Sequence, residues 1–565
     1  MSCSKGHICQ CLSRILALRR EAAVTVSERH GTRTGRQFVE GVLGLARGLA
    51  RLGVGRGDVV AMASLNSEWY VEWLLAVAFV GGIAAPLNYR WSVEEARAAV
   101  GLVSPVMLAV DESCRRWVPE LQGASSLPVK HHVLMGESPR CLSGNGSVID
   151  QCGIKMPVES PEFDHIWAPE DVAFLCFTSG TTGRPKGVAI NHMALIVQSF
   201  AKIATVGYGE DDVYLHTAPL CHIGGISSCI AMLMAGGCHV FIPKFDAKAA
   251  TKVIEQHHIT SLITVPVMVA DLASFLGTKE RWTGRESVKK VLNGGGGLSH
   301  ALIDAAVKMF PNAKIMSAYG MTEACSSLTF TTLHDPSSPK IGVQHQENKE
   351  ATSDPAFCQL GGVCVGKPPP HVELCVSGSG NKGAPVVGNI LTRGSHVMVG
   401  YWNRVTIGVP DRRLNGWLDT GDMGWIDDNG NLWLVGRKKG QIKSGGENVY
   451  PEEVEAVLSQ HPGVSCAVVV GLPDARLTEM VAACVCIREG WEWADHAYAH
   501  STDRKQLSTE ILQTHCRQAN LSRFKIPKIC ILWNRPFPYT TIGKLKREEV
   551  RKEAVSFVQF LPSSL

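Results

Sequence analysis

The chain lacks an apolar run of the roughly 20 uncharged residues that a membrane span requires. It also lacks a block of like charges and any pair of Cys-x-x-Cys knuckles. Each absence removes a class. Without the long run, Trp73–Ala85 reads as a core helix, since it is apolar but short. A net charge of +4 spread over 565 residues leaves no basic stripe for nucleic acid and no charged tail. The 19 cysteines are scattered, many inside apolar runs, as at Cys176, Cys229, Cys466, Cys484 and Cys486. That placement fits buried free thiols in a reducing compartment better than disulfides or a metal knuckle. The sequons at Asn145 and Asn520 then carry no glycosylation meaning.

What is present is an ordinary globular mix, with 45% apolar and 19% charged residues. The length exceeds one ordinary core, so two or more domains are expected. From about residue 37 to 330, helical patterns alternate with short β-branched apolar runs. Examples are Val59–Ser64, Val172–Thr178, His239–Ile242, Ser261–Val265 and Lys289–Leu292. Most are apolar at every position, as strands covered on both faces are. The reading is an α/β fold of layered, largely parallel sheets. Residues 136–161 and 335–360 are expected to be surface loops. After Gly436 the texture changes to a smaller α+β pattern: Val464–Gly471, Met480–Arg488, a helix near Gln506–Ala519 and Lys528–Trp533. Near the start, Ile8, Leu12, Ile15, Leu16 and Leu18 stand at helical spacing beside Arg14, Arg19 and Arg20. A first helix packed on the domain is favoured there over an amphipathic transit peptide.

The chemistry concentrates in one segment. Val172–Thr178 reads as a buried strand and Gly187–Ile190 as its returning partner. Between them lie Thr178, Ser179, Gly180, Thr181, Thr182 and Gly183, then Arg184, Lys186 and Gly187. Glycines let successive amides turn toward one point. The hydroxyls add neutral donors, and Lys186 adds a mobile cation for a polyphosphate. The spacing differs from the loop that opens a helix in the other common phosphate-binding motif. The bland alternative is a Gly/Ser-rich hairpin with one incidental lysine.

This loop resembles the signature of the adenylate-forming, acyl-activating superfamily, and further motifs follow in that family's order. They are Pro219–Gly225, Gly294–Leu298, Tyr-Gly-Met-Thr-Glu at 319–323, Trp417–Asp422, Gly436–Lys439, Lys443–Pro451 and Pro538–Lys544. The resemblance covers nearly the whole chain. It implies a large layered N-terminal adenylation domain over 1–436 and a small mobile α+β C-terminal domain over 437–565, hinged at Lys439. It also implies ATP, Mg²⁺ and CoA as cofactors.

The resemblance assigns roles by position. Glu323 would hold the metal, a hard cation that needs only one or two protein carboxylates. Thr322 would contact phosphate, and the Tyr319 ring would lie on adenine. Gly295 and Gly296 would line the adenine and acyl pockets, although the family usually has Ala-Pro where this chain has Gly296-Gly297. Asp422, placed after a turn, would grip the ribose hydroxyls with Arg437 assisting, while Asp419 reads as a local turn residue. Lys544 would bridge the attacking carboxylate and the α-phosphate, where charge develops in the transition state. His222 would flank the acyl pocket, the alternative being a satisfied core histidine. Lys443, Gly445 and Gly446 would serve the pantetheine arm in the second half-reaction.

The implied reaction is adenylation of a carboxylate followed by thiol displacement of AMP. Among subfamilies, the variants at 219–227, 319–326 and 444–451 are most similar to o-succinylbenzoate–CoA ligases. The second carboxylate of such a diacid needs a donor that the motifs do not name. Peroxisomal fatty or hydroxycinnamic acid ligases, carrier-loading modules, luciferase-like oxygenases and nucleotide sensors share part of the pattern. The ending Ser563-Ser564-Leu565 resembles a peroxisomal address and implies an import receptor as partner. A peroxisome is therefore expected, with the chloroplast as alternative.

Overall fold

A computed structural model gives the fold and describes residues 6–28, 31–122, 129–136, 148–178, 185–277, 282–338, 363–378, 387–403, 406–408, 413–414, 416–437, 440–494, 505–538 and 545–559. The chain divides into two compact units, one running to Gly436 and the other beginning at Arg437, with the short Arg90–Glu95 segment grouped with the second.

Among the described residues, the first unit holds three sheets. A nine-stranded sheet runs in the order Thr406–Gly408, Gly400–Asn403, Lys186–Asn191, Val172–Thr178, Ile83–Pro86, Val59–Ala63, Met107–Val110, His131–Leu134, Val148–Asp150. It is parallel from Val172–Thr178 outward to Val148–Asp150. The other side is antiparallel, because Lys186–Asn191 returns directly from Val172–Thr178. An eight-stranded sheet places Lys314–Met321 beside Lys290–Asn293 in parallel and beside Ser326–His334 in antiparallel. The third sheet contains Trp417–Ile426 between Gly388–Arg393, to which it is antiparallel, and Leu432–Arg437. The two large sheets match the layered α/β reading; the third sheet was not anticipated.

Helices between the sheets carry the main core. His192–Val206 starts where Asn191 accepts from the Ala194 amide at 2.9 Å and stops at Gly207, whose φ of 83° suits a residue without a Cβ. That frame turns Leu195, Gln198, Ser199 and Lys202 inward. Ile223–Ala235 packs beside it and is buried at nearly every position. Gln10–Leu18 is a packed first helix, with Cys11, Leu12 and Ile15 buried, as its spacing suggested. Each fully buried Leu or Ile contributes about 1.5–3 kcal/mol.

Two local expectations change. Trp73–Ala85 is not one helix: Glu68–Phe79 is helical, and after a Gly81-Gly82 turn Ile83–Pro86 is a strand. The described part of 136–161 is not only loop. Val148–Asp150 forms the sheet edge, and buried Gln151 accepts from Trp73 Nε1 and the Gly136 amide, both at 2.9 Å. Trp73 supplies a large buried surface whose one donor is thereby satisfied. The loop expected at 335–360 falls mostly outside the described residues. Sixteen cysteines are free, and none of the described cysteines is bridged. No described helix is long and apolar enough to cross a membrane.

The second unit is a small α+β body. Val464–Asp474 and Thr478–Ile487 form a long antiparallel pair, with Ile529–Leu532 parallel to the latter and Thr509–Gln518 packed nearby. Ile442–Ser444 and Glu447–Val449 form a tight hairpin at its edge.

Candidate active site

In the first unit, Tyr401 links Glu323 to Lys186, Tyr319 contacts Asp422, and the Gly294–Gly297 segment follows the strand that runs parallel beside Lys314–Met321. Tyr319 lies in Lys314–Met321, and Thr322–Ala324 follows as one 3-10 turn. Gly320 allows this chain path, because a Cβ there would sit 1.5 Å from the Ser326 carbonyl oxygen. After the turn, Cys325 and Ser326 take φ of 52° and 100°, strained for residues with side chains. The turn is held from behind: Gln198 Nε2 donates to the Ala324 and Ser327 carbonyls at 3.1 and 2.7 Å, and the Met398 amide donates to the Glu323 carbonyl at 2.9 Å.

Glu323 is buried, and its Oε1 accepts from Tyr401 Oη at 2.8 Å. A single buried carboxylate offering hard oxygen fits Mg²⁺, which keeps most of its own waters. A second group with ligand-like spacing, His216, Cys229 and His239, is buried elsewhere in this unit. Its imidazoles are hydrogen bonded to each other, with His216 Nε2 and His239 Nδ1 2.9 Å apart. Two nitrogens around one tetrahedral zinc would stand about 3.3 Å apart, so this is a neutral histidine pair.

Tyr319 is buried and its Oη donates to Asp422 Oδ2 at 2.7 Å. Asp422 lies inside the strand Trp417–Ile426, not after a turn, and its amide donates to Thr420 Oγ1 at 3.2 Å. Asp419 accepts from the Gly421 amide at 2.8 Å, the local role read for it. Gly295 has a φ of 70°, and Asn293 Nδ2 donates to the Gly296 carbonyl at 2.7 Å, fixing the loop after Lys290–Asn293. Added Cβ atoms at Gly294 or Gly297 would meet nothing within 4 Å, so open space borders this backbone.

Of the phosphate loop, Thr178 and Lys186 are described and pair across the hairpin. Lys186 Nζ lies 5.1 Å from the centre of the Tyr401 ring. Ser179, Gly180, Thr181, Thr182, Gly183 and Arg184 lie outside the described residues, as do Lys439 and Lys544. Arg437 ends the strand Leu432–Arg437, and its side chain also lies outside. His222 is the half-buried residue preceding Ile223–Ala235, with no side-chain cap bond there.

In the second unit, Gly445-Gly446 form the tip of a hairpin whose first strand holds Lys443. Both glycines have positive φ, 60° and 86°, as a two-residue loop demands. The tip is tied down by the Lys443 amide donating to Glu479 at 2.8 Å and the Gly445 amide donating to the Leu477 carbonyl at 2.9 Å.

Two groups escaped the sequence reading. Tyr401 is one. The other surrounds Lys202, a fully buried lysine whose Nζ donates to Ser228 Oγ at 3.0 Å, to Ser326 Oγ at 3.3 Å and to Ser227 Oγ. It forms no ion pair among the described residues, and burial pulls its pKa down to about 7. Ser227 and Ser228 stand on the helix that His222 precedes, and Ser326 follows the Glu323 turn. A helical lysine carries no signal of burial by itself; only an i, i+4 relation to inward Gln198 hinted at it.

The AMP-binding enzyme family matches residues 16–402, and the AMP-binding enzyme C-terminal domain matches 453–544. The chain belongs to the AMP-binding enzyme family. It is 52% identical over 569 residues to the chloroplastic/peroxisomal 2-succinylbenzoate–CoA ligase of Arabidopsis thaliana, covering 100% of this chain and 99% of that one. Among solved structures, an amide bond synthetase from Marinactinospora thermotolerans superposes with a TM-score of 0.77 at 26% identity, covering 97% of this chain and 99% of the other. A double mutant of the o-succinylbenzoate CoA synthetase of Bacillus subtilis, bound to a product analogue, gives 0.73 at 26% identity, over 96% and 98% of the two chains. The same Bacillus enzyme with ATP and a magnesium ion gives 0.62 at 26% identity, over 95% and 98%.

Proposed function

We propose that this protein is an ATP-dependent ligase that converts 2-succinylbenzoate to its CoA thioester through an acyl adenylate, in phylloquinone synthesis. The observation that carries the reading is the 52% identity to the Arabidopsis ligase over the whole of both chains. The Lys202 cluster supports it from the site. A buried ammonium without a counter-ion is costly, and a diacid brings the carboxylate that would neutralise it. The succinyl carboxylate would then face ATP while the ring carboxylate meets Lys202 and the serine hydroxyls.

In the first half-reaction, Glu323 holds Mg²⁺, Lys186 and the loop 178–183 grip the phosphates, and Thr322 contacts the α-phosphate. Tyr319, Gly295 and Gly296 flank adenine, and Asp422 with Arg437 takes the ribose. Lys544 stabilises charge on the attacking and bridging oxygens. Pyrophosphate leaves and the mixed anhydride remains. In the second half-reaction the CoA thiolate attacks that carbonyl and AMP departs, with Lys443 and Gly445-Gly446 serving the pantetheine arm after rotation about Lys439. His222 borders the acyl group. The protein is proposed to act in the peroxisome through an import receptor that reads Ser563-Ser564-Leu565, or in the chloroplast. The terminal tripeptide lies outside the described residues.

Pyrophosphate release measured across an acid panel tests the reading. 2-Succinylbenzoate should be the best substrate, and 4-oxo-4-phenylbutanoate, which lacks only the ring carboxylate, should be poor. Preference for fatty or hydroxycinnamic acids would overturn it.

A further inference from the structure

Tyr401 belongs to none of the motifs that carried the family resemblance, yet it touches two of them. Its strand, Gly400–Asn403, lies antiparallel against the return strand of the phosphate loop, with Tyr401 opposite Val188. Two residues earlier in the chain, the Val399 amide donates to the Ala189 carbonyl at 2.9 Å, and Met398 donates to the Glu323 carbonyl at 2.9 Å. The segment Met398–Tyr401 therefore fastens the return strand and the Glu323 turn to each other through backbone alone. The Tyr401 side chain repeats the link at the level of charge. Its hydroxyl donates to Glu323 Oε1 at 2.8 Å, and Lys186 Nζ sits 5.1 Å from its ring centre.

Both partners need such a support. The terminal torsion of a glutamate is broad, so an unpinned carboxylate samples many orientations. The hydrogen bond fixes Oε1 and leaves Oε2 without a partner among the described residues. A lysine is a point charge on a flexible stem, and Lys186 makes no ion pair among the described residues. The aromatic face attracts the ammonium without neutralising it, so its charge stays available to an anion. A carboxylate would hold Lys186 more tightly but would compete with phosphate.

We propose that Tyr401 is a positioning residue for adenylation, aiming the Glu323 carboxylate at Mg²⁺ and holding Lys186 toward the ATP phosphates. It acts through those two side chains and rests on the reading above. The prediction is specific to one half-reaction, because thiol attack on a preformed acyl adenylate uses neither the metal nor the polyphosphate.

The test compares wild type, Tyr401→Phe and Tyr401→Leu in two assays. One is acid-dependent ATP–pyrophosphate exchange titrated with Mg²⁺; the other is thioester formation from supplied acyl adenylate and CoA. Tyr401→Phe keeps the ring and should raise the Mg²⁺ concentration for half-maximal exchange roughly tenfold, the effect of losing one hydrogen bond to a charged group. The KM for the acid should not change. Tyr401→Leu should show the same Mg²⁺ effect and a raised KM for ATP as well. Thioester formation should stay near wild type in both. In a Glu323→Gln background, Tyr401→Phe should cost little more, since the two act as one unit.

An unchanged Mg²⁺ requirement in Tyr401→Phe would overturn the proposal, as would equal losses in both half-reactions, the mark of a merely structural role. If the wild type shows no exchange with 2-succinylbenzoate, the functional reading fails separately. Mg²⁺-dependent ATP binding by the same proteins, measured calorimetrically, then still decides the role of Tyr401.

Discussion

Tyr319 Oη donates to Asp422 Oδ2 at 2.7 Å, joining two sheets of the first unit by one buried hydrogen bond. The ring assigned to adenine and the carboxylate assigned to ribose are thus set by one contact. A hydrogen bond to a charged group contributes about 1.5–3 kcal/mol. Tyr319→Phe keeps the stacking face and loses that bond. We expect the KM for ATP to rise roughly tenfold or more, with kcat less affected, because Asp422 would grip the ribose less well in ground and transition state alike. Steady-state kinetics with ATP varied would measure it; an unchanged KM would remove the role assigned to the pair.

Lys202 links substrate choice to pH. Burial holds its pKa down to about 7, so in the free protein the ammonium form prevails only below that value. Diacid binding needs the ammonium and should weaken as pH rises above about 7, by up to tenfold per unit. The monoacid 4-oxo-4-phenylbutanoate should show no such trend. For stability the sign is the reverse: between about 7 and the ordinary lysine value the unfolded chain binds more protons, so the free protein gains stability as pH rises. Lys202→Met should raise the KM for 2-succinylbenzoate at least about 30-fold, the lower end expected for truncating one partner of a buried charge pair. It should not lower the melting temperature, since it removes an uncompensated buried charge. A KM left unchanged would detach Lys202 from the acid.

Much of the site was legible because its parts are local. The strand Val172–Thr178 has the expected bounds, since seven residues that are largely apolar between turn signals specify a covered strand without outside help. The Tyr319–Glu323 and Lys443–Gly446 motifs lie close together in sequence and fold as hairpins or turns. Trp417–Ile426 was missed as a strand for a physical reason. Alternate residues face inward there, but the inward set is Leu418, Thr420, Asp422 and Gly424, so no hydrophobic alternation marks it. Lys202 and Tyr401 were missed because their meaning comes from distant partners. Ser228 is 26 residues from Lys202 and Ser326 is 124 residues away, while Glu323 is 78 residues from Tyr401. No spacing rule spans such intervals.

Buried histidines should make the first unit acid-sensitive. Burial, followed by the neighbouring His192 and His165, pushes His7 down to about 2, and burial pushes His192 down to about 3. Their rings lie 3.7 Å apart, so a proton on either meets the other. His239 is held down to about 3 by burial alone. Each folded value lies below the unfolded value of about 6.5, so the unfolded chain takes up protons first. The stabilisation is complete above about pH 6.5 and is lost progressively as pH falls, by at most about 1.4 kcal/mol per unit for each group. Calorimetric scans should show a melting temperature that falls steeply between pH 6.5 and 5. A flat profile across that range would contradict the neutral assignment.

Lys544 and Lys443 test the division of labour between the half-reactions. Both belong to the second unit, but only Lys544 is assigned to the moment when the acid attacks ATP. The charge there develops on the incoming carboxylate and the α-phosphate oxygens, where a placed cation lowers the barrier and no water can substitute at the same cost. Once the acyl adenylate exists, its carbonyl is already activated and the leaving group is AMP, so a cation between acid and phosphate has no further step to assist. Lys544→Ala should therefore abolish pyrophosphate release, by a factor of about 10² or more, and leave thioester formation from supplied acyl adenylate within a few-fold of wild type. Lys443→Ala should show the opposite pattern. Its side chain belongs to a hairpin whose backbone is already fixed by Glu479 and Leu477, so the substitution should not unfold the tip. Single-turnover assays of the two half-reactions would measure both variants. Equal loss of both steps in Lys544→Ala would mean that one arrangement of the second unit serves the whole reaction.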